Sequence, residues 1–566
     1  MDYELLLINV SRDYSGLSES FRDSIGQYLI AAYLRSMDFK AFVYSGDIKG
    51  CKTVIEKELN NHRTGMIGFY VAADNIRVTE HVIYWVKQKY PWCRTIVGGP
   101  QAVGLDYDFF ERTGNDFAIM GEGEIPVYYL LLSVVDHDFG LEKVPSLIRR
   151  DDEKTSLVIN GCKDAVINNL DMLDFPRNAD SITGRLRQGE VVGIITGRGC
   201  PFNCSFCYEG ANAKNVRLRS ISKVMEEIDY IRENNPKLKF IYVYDDTFTL
   251  KKERVLEFCT EMKKRELMWF CEGHITFVLK HPDVLEKMVE SGLVCIQFGI
   301  ESGSDKVLDA YHKHTSFDMI LEAVDICKKA GVHSITGNFI IGGAHETRET
   351  IEMSKHLAGE LIRRAKGIIE LRTVYFAPYP NTKMVREPEQ FGIEILKDAQ
   401  EISINTMRTP VVRTKELSRE NIYDLKHEFD EFLKAEYRVA AHNARKADIQ
   451  QGLFHNGIRI SVNPTWEHIY SETPHISAFL NHMMEEEQNF HADYYIIRTF
   501  EDIKIKGGRL ISDVGVFENL EKDILTYATG LYTASQMAEM FHTSIAVIEK
   551  CYYSLNERCL VYITEF

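Results

Sequence analysis

Gly197-Arg198-Gly199-Cys200-Pro201-Phe202-Asn203-Cys204-Ser205-Phe206-Cys207-Tyr208 places three cysteines at spacings of four and three on one short stretch. Gly197, Gly199 and Pro201 permit a sharp backbone path, so the three thiols belong to a single tight loop. Thiolates suit iron–sulfur clusters or zinc. A closed site of either kind takes a fourth ligand, and no further Cys or His follows until Cys259. Three protein ligands leave one metal with an open position, which is the arrangement of a catalytic centre. The other nine of the twelve cysteines show no cluster spacing, so no second cluster is expected. Among them Cys259, Cys271, Cys295 and Cys327 fall in expected helices or strands and read as buried, inert thiols.

Outward from this loop the chain alternates short apolar runs with amphipathic stretches. The runs Val191–Thr196, Phe240–Tyr244, Met268–Glu272, Cys295–Gly299, Ser334–Ile341 and Leu371–Ala377 read as strands. Val224–Asn234, Lys252–Lys264, Pro282–Ser291 and Phe317–Ala330 read as the helices between them. Six strand–helix units predict a (β/α)6 partial barrel with its chemistry at the strand C-terminal face. Upstream, Leu5–Val10, Ala41–Tyr44, Met66–Val71, Thr95–Gly98 and Phe117–Met120 alternate with Ser24–Ser36 and Thr79–Tyr90. That pattern predicts an α/β, doubly wound parallel sheet. Its ligands bind beyond the strand ends, here Asn9–Gly16, Tyr70–Asn75, Gly98–Gln101 and Gly121–Glu124.

The expected organisation is a Rossmann-like unit over 1–150, a polar linker over 151–190 and the barrel over 191–385. A helical region over 386–515 and a small module over 516–566 follow. In the last module Asn519–Thr529, a turn at Gly530, Thr533–Phe541, Ser544–Glu557 and a strand Leu560–Ile563 resemble a winged helix. Thr533 and Gln536 form a capping box there.

At 566 residues the chain exceeds what one hydrophobic core supports. A net charge of −16 repels phosphate backbones, so nucleic acid is not an expected partner. No apolar run approaches the ~18 residues of a membrane span. The opening MDYELLLINV lacks the basic start of a signal peptide. A cytoplasmic protein with reduced thiols is the expectation.

The Cys-x3-Cys-x2-Cys spacing, with Phe206 just before the last cysteine, resembles the motif of the radical S-adenosylmethionine (SAM) superfamily. The resemblance implies that Cys200, Cys204 and Cys207 ligate three irons of a [4Fe-4S] cluster. SAM then chelates the fourth iron and is cleaved to a 5′-deoxyadenosyl radical. It places Tyr244, Asp245 and Asp246 near the SAM amino group, with Glu272 ending the third strand. Gln297-Phe-Gly-Ile-Glu301-Ser302-Gly303 resembles the fourth-strand motif whose Glu and Ser reach the ribose and methionine moiety. Asn338, in Gly337–Gly342, falls on the strand that flanks adenine. Tyr375, Pro378 and Tyr379 line the mouth. Gly342-Gly-Ala-His-Glu346-Thr347 departs from the usual Gly-x-Pro-Gly-Glu-Thr.

A doubly wound domain ahead of such a core resembles the cobalamin-binding radical SAM group. In that group two glycine-bearing loops line the corrinoid's nucleotide tail. Here they are Thr95-Ile-Val-Gly98-Gly99-Pro100-Gln101 and Phe117-Ala-Ile-Met-Gly121-Glu122-Gly123-Glu124. Glycine lets the backbone approach a bulky ligand. No histidine precedes His62, so the first-strand loop with Ser11 supplies no imidazole to cobalt. The loop bearing Ala72, Ala73 and Asn75 is the candidate for the lower face. No Gly-x-Gly-x-x-Gly follows the first strand, so a dinucleotide site is set aside.

The resemblance implies a cobalamin-dependent C-methyltransferase acting on an unactivated carbon of a peptide or natural product. An external electron donor such as flavodoxin or ferredoxin would serve it. The terminal module could hold a leader peptide by strand addition. Glu521, Asp523, Glu539, Glu549 and Glu557 outweigh Lys522, Lys550 and Arg558 there, which argues against DNA. Two other readings stay open: a cyclase, epimerase or rearrangement enzyme without methyl transfer, and a non-catalytic iron–sulfur or zinc protein.

Overall fold

Runs of Val, Ile, Leu and Phe buried on both faces become parallel strands, and the amphipathic stretches between them become crossover helices. The computed structural model describes residues 4–10, 25–61, 64–72, 75–135, 139–151, 153–163, 165–182, 189–396, 409–483 and 490–564. Ser11 and Ala73, expected in the N-terminal ligand site, lie outside the described residues.

The first sheet contains β1 (Glu4–Val10), β2 (Lys40–Gly46), β3 (Thr64–Tyr70), β4 (Arg94–Gly98), β5 (Phe117–Ile119), β6 (Leu147–Asp151) and β7 (Ser156–Ile159). Their order is β2-β1-β3-β4-β5-β6-β7, with the first five parallel and the last two antiparallel. The order reverses between β1 and β3, so the crevice of this doubly wound sheet opens at their C-terminal ends. Ile25–Ser36 and Glu124–Val135 cover one face, and Ile48–Asn60, Ile76–Lys89 and Tyr107–Thr113 cover the other.

Where the stretch from 151, expected as an irregular linker, is described, it packs on the first unit. β7 extends the first sheet to Ile159, and the chain then runs back along the same unit. Ile182 N donates to Val43 O at 3.0 Å, and Arg35 pairs with Asp174 at 2.8 Å and with Asp180. Ile167, Leu170 and Leu173 close a small apolar cluster with Tyr33 and Ile125. The segment is a brace whose apolar residues are too sparse to announce an element.

The second sheet is all parallel. It holds β8 (Val191–Ile194), β11 (Phe240–Val243), β12 (Met268–Gly273), β13 (Leu293–Glu301), β14 (Ser334–Ile341) and β15 (Ile369–Tyr375), in the order β15-β14-β13-β12-β11-β8. A short antiparallel clip, β9 (Gly197–Arg198) with β10 (Arg217–Leu218), follows β8. Ile241, Val243, Trp269, Ile296, Phe298, Ile335 and Phe339 point outward into the core shared with the helices. The alternate positions, among them Gly193, Tyr242, Glu272, Gln297 and Asn338, line the inner face.

β15 ends the sheet, and an uncovered edge strand would leave backbone groups unpaired. Helices Arg419–His442 and Pro464–Glu472 cover it. Leu371 N donates to the Tyr437 hydroxyl at 2.7 Å, that hydroxyl donates to Ile369 O at 3.2 Å, and Trp466 Nε1 donates to Ile369 O at 2.7 Å.

The region 386–515 is not simply helical. Strands Tyr495–Arg498, Lys504–Lys506 and Arg509–Ser512 lie within it, and Gly515–Phe517 begins at its end. Tyr495–Arg498 is the central strand between Thr529–Thr533 and Val561–Thr564, so the terminal module begins upstream of 516. Ile496, Phe500, Leu510 and Phe517 share one core with Ile524, Met537, Ile548 and Leu555. The Thr533–Gln536 capping box is present. No helix among the described residues is long and apolar enough to cross a membrane.

Tyr437→Phe removes the acceptor of a buried edge amide, and the expected loss is about 1–3 kcal/mol of barrel stability, read by urea denaturation. An unchanged midpoint would show that the β15 edge does not depend on this hydroxyl.

Candidate functional site

The cysteine loop is shaped by two acids at the end of β11. Asp245 accepts from Thr196 N at 2.6 Å and Gly197 N at 2.9 Å, and also binds the Thr196 hydroxyl. Asp246 accepts from Gly199 N at 3.0 Å. Gly199 has φ 86°, and a side chain there would collide with the carbonyl of Asn215. Further along, Cys200 N donates to Ala213 O at 3.0 Å and Ser205 N donates to Tyr311 O at 3.0 Å. Met384 N donates to Ser205 O at 3.1 Å. The loop is thus tied to β11, to the segment after β13 and to the chain beyond β15.

Cys200 is buried, and Cys204 and Cys207 are half-buried. Burial, and then the neighbouring Cys204 and Cys200, push the Cys207 thiol up to about 11. Burial also raises Cys204, offset in part by Lys313. A cationic centre would be needed to hold these thiols as thiolates, with Cys204 and Cys207 pushed up by burial, so this donor set fits an iron–sulfur group. Among the described residues no three or more Cys, His, Asp and Glu side chains gather tightly enough to hold a single ion. Phe202 stacks on His274 at 3.9 Å, and Phe206 meets Tyr311 edge-on at 4.9 Å. Burial drives His274 down to about 4, so its imidazole is neutral at physiological pH.

The expected SAM residues separate into two groups. Glu272, Gln297 and Asn338 share the inner face, with Glu272 opposite Gln297 in register and Asn338 opposite Gly299. The Thr336 hydroxyl donates to Gln297 Oε1 at 3.4 Å. Burial, then Asp246, pushes Glu272 up to about 7. Tyr244 is exposed at the mouth and lies over Gly193, its ring 4.3 Å from that of Tyr242. Glu301, at φ 65° beside a register shift in β13, pairs with Lys313 at 3.0 Å. A Cβ on Gly299 would collide with both partners of that pair. Lys313 has no motif of its own in the sequence; only the fold brings it to Glu301.

The other group faces elsewhere. Asp245 is buried and spends its oxygens on the loop backbone. Ser302 is fully buried, its hydroxyl 3.2 Å from that of Ser354 and accepting from Ser304 N at 3.1 Å. Gly303 is pressed beneath helix Arg348–Arg364, which fixes Ser302 as a packing residue. Tyr375 is buried with the Lys426 ammonium 5.3 Å from its ring centre, on the face that meets helix Arg419–His442 rather than the inner face. In the departing loop, Glu346 accepts from the amides of Gly342 and Gly343, so a buried carboxylate makes the turn.

The strand ends of the first sheet meet this mouth. Among the described residues, a Cβ on Gly98 or on Gly121 would meet nothing within 4 Å, so both present open backbone faces. Gly99, at φ 109°, closes on Val71 O, and Gly123 packs against Ile30. Gln101 N donates to Val71 O at 3.2 Å, fixing the turn. Ile25 reaches Gly193, and Gly104 abuts Pro380, whose carbonyl accepts from Asn212 Nδ2 at 3.2 Å. The open glycine faces are a cradle that side chains would fill, and they fit a large flat cofactor. Asn75 does not join them. It is buried, accepting from Ala72 N at 2.8 Å and donating to Tyr70 O at 3.2 Å and Val10 O at 3.3 Å. Glu122 is likewise occupied, by Arg198 at 2.7 Å and by Arg217.

Residues 194–358 match the Radical SAM superfamily. Over 296 residues the chain is 30% identical to a Pyrococcus horikoshii protein named uncharacterized methyltransferase PH0819, covering 51% of this chain and 61% of that one. It is 25% identical over 370 residues to the anaerobic magnesium-protoporphyrin IX monomethyl ester cyclase of Cereibacter sphaeroides, covering 63% of this chain and 56% of that one. The matched stretches therefore span less than two thirds of these relatives' own length. The solved structure of the cobalamin-dependent S-adenosylmethionine radical enzyme OxsB, with aqua-cobalamin and S-adenosylmethionine bound, superposes with a TM-score of 0.63 at 14% identity. That superposition covers 85% of this chain and 71% of OxsB, and it shows a shared fold. The three-cysteine loop at the first strand of the parallel barrel lies inside the stretch that matches the Radical SAM superfamily, and the chain shares the fold of the cobalamin-dependent radical enzyme OxsB.

Proposed function

We propose that the protein is a cobalamin-dependent radical SAM C-methyltransferase. The observation that carries this reading is the pair of open glycine faces at Gly98 and Gly121, at strand ends of the first sheet that reach the cysteine loop through Glu122, Glu124 and Arg198. In this reading residues 1–150 bind the corrinoid, 151–190 link the two units, with 167–182 packed as a brace, and 191–385 form the radical SAM core. Cys200, Cys204 and Cys207 hold the cluster. Phe206, Tyr244, Asp246, Glu272, Gln297, Glu301 and Asn338 surround SAM. Gly98, Gly99, Gln101, Gly121 and Gly123 carry the corrinoid. When bound, these groups supply a 5′-deoxyadenosyl radical and a transferable methyl group.

The chain's own residues prepare that chemistry. Lys313 lowers the Cys204 pKa against the effect of burial, which favours the ligating thiolate. Asp246 fixes the Gly199 amide, so the first cysteine keeps its place when the site fills. The rings of Phe202, Tyr242 and Phe270, stacked on their neighbours, limit water at the mouth. The substrate in this proposal is a small molecule or peptide, and a flavodoxin or ferredoxin delivers the electron. A cytoplasmic setting suits the reduced thiols.

The cyclase name of the Cereibacter relative favours a second reading, a radical rearrangement without methyl transfer. Anaerobic reconstitution with iron, sulfide, hydroxocobalamin, SAM and reductant decides between them. Retained corrinoid with both 5′-deoxyadenosine and S-adenosylhomocysteine supports methyl transfer. Deoxyadenosine without S-adenosylhomocysteine selects the second reading. A cluster whose spectrum ignores SAM points instead to a non-catalytic protein. Cys200→Ala is expected to abolish both products.

Two variants test the cofactor assignments separately. Gly98→Leu meets open space, so the melting temperature should hold within about 2 °C while corrinoid affinity falls about 100-fold, roughly 3 kcal/mol. Unchanged corrinoid retention would remove Gly98 from the site. Gly299→Ala pushes the Glu301–Lys313 pair apart, and SAM affinity by equilibrium dialysis should fall about tenfold at full iron content. Equal affinity would show that this pair does not meet SAM.

A further inference from the structure

The two carboxylates of the Gly121–Glu124 loop reach the cysteine loop directly. Arg198 lies two positions before Cys200 and is the one charged residue between Gly197 and Tyr208. Its guanidinium forks, donating to Glu122 at 2.7 Å and to Glu124 at 2.6 Å. Arg217, paired with Arg198 across the β9–β10 clip, donates to Glu122 at 3.0 Å and to Ile167 O at 2.8 Å. The side chains are shielded: Arg198 is 14% exposed, Arg217 10%, Glu124 4% and Glu122 22%. Two positive and two negative groups balance, and the forked guanidinium geometry makes such pairs directional as well as strong.

The position of this cluster matters more than its charge. From the barrel side, Asp245 and Asp246 hold the backbone amides of Thr196, Gly197 and Gly199. From the first-sheet side, Glu122 and Glu124 hold the side chain of Arg198, between those amides. Gly121, with its open face, begins the same loop that carries both glutamates. A displacement of that glycine loop therefore pulls on the residue two before the first cysteine. Removing one member of a shielded pair leaves its partner uncompensated, so the arrangement resists such displacement.

We propose that Glu122 and Glu124 are positioning residues which, through Arg198 and Arg217, hold the cysteine loop in fixed register with the glycine loop of the first sheet. Glu122 is thereby a strut rather than a corrinoid ligand, and the four-charge clamp sets the spacing between the corrinoid cradle and the cluster. The inference rests on the cluster-binding reading of Cys200, Cys204 and Cys207.

The test uses the full-length reconstituted holoprotein and the variants Glu124→Gln, Arg198→Gln, their double, and Glu122→Gln. Iron loss to bathophenanthroline disulfonate and the EPR spectrum of the reduced cluster, with and without SAM, are recorded for each. Glu124→Gln should speed iron loss about tenfold and Arg198→Gln at least as much, and the double should be no faster than the worse single, because Arg198→Gln already removes the Glu124 pair. Their EPR lines should broaden, and the share of cluster that responds to SAM should fall. Glu122→Gln, at the more exposed carboxylate, should move the same way by a smaller factor. Wild-type spectra and iron-loss rates in the Gln variants, or additive effects in the double, would overturn the clamp. If Glu124→Gln fails to fold, Glu122→Gln decides by the same two readouts. A wild-type cluster indifferent to SAM sinks the functional reading instead, while the iron-loss comparison still judges the clamp.

Discussion

The site depends on a buried carboxylate that serves the backbone of its neighbouring strand. Asp245 takes the amides of Thr196 and Gly197 where β8 gives way to the cysteine loop, and burial pushes its pKa up to about 6. Those hydrogen bonds offset the desolvation cost, as do the Thr196 hydroxyl and the nearby Arg254. Arg254 in turn donates to Thr196 O at 3.0 Å, so both ends of that peptide are held. With Asp246 on Gly199, the entry to the loop is set before any ligand arrives. A loop rich in glycine would otherwise lose much entropy on ordering, and prepaid hydrogen bonds limit how much the cofactor must supply.

Around this entry, the molecule brings the C-terminal ends of two parallel sheets face to face. Both sheets converge backbone amides and loops at that end, which is why ligands settle there. Ile25 against Gly193, Gly104 against Pro380, and Arg198 with Glu122 and Glu124 are three contacts of different kinds along the seam. Apolar packing, close backbone approach and ion pairing fail under different conditions, so the seam does not rest on one interaction. The brace from 165 to 182 lengthens it, with Arg217 donating to Ile167 O at 2.8 Å.

Much of this was legible in the sequence, for identifiable reasons. Ser334–Ile341 and Phe317–Ala330 are found as expected because each is a long run of a single period, the strand deeply buried and the helix burying one face. The cysteine loop announced itself by spacing alone. Tyr495–Arg498 did not, since a four-residue strand with one fully buried side chain has no period to detect. Lys504–Lys506 is exposed throughout and equally silent. Site residues divide along a similar line. The identities of Asp245, Ser302 and Tyr375 could be read, but their directions could not. A strand's two faces differ by one position, and a motif resemblance does not say which face a carboxylate or hydroxyl serves. Asn75 and Glu122 likewise have protein partners that the sequence does not reveal.

Lys313 shows what only the assembled fold supplies. It is twelve residues beyond Glu301, across helix Asp305–Ala310, and no spacing rule links the two. Once folded, Gly299 gives up a side chain so that the pair can cross its strand. The ammonium acts on Cys204 more strongly than Glu301 does, lowering the thiol's pKa where the carboxylate raises it. Thiolates placed in a poorly solvated loop need such compensation, and a lone lysine there would itself be costly to bury. Pairing it with Glu301 makes the cation affordable at that depth, and the glycine in β13 is the structural condition for having it.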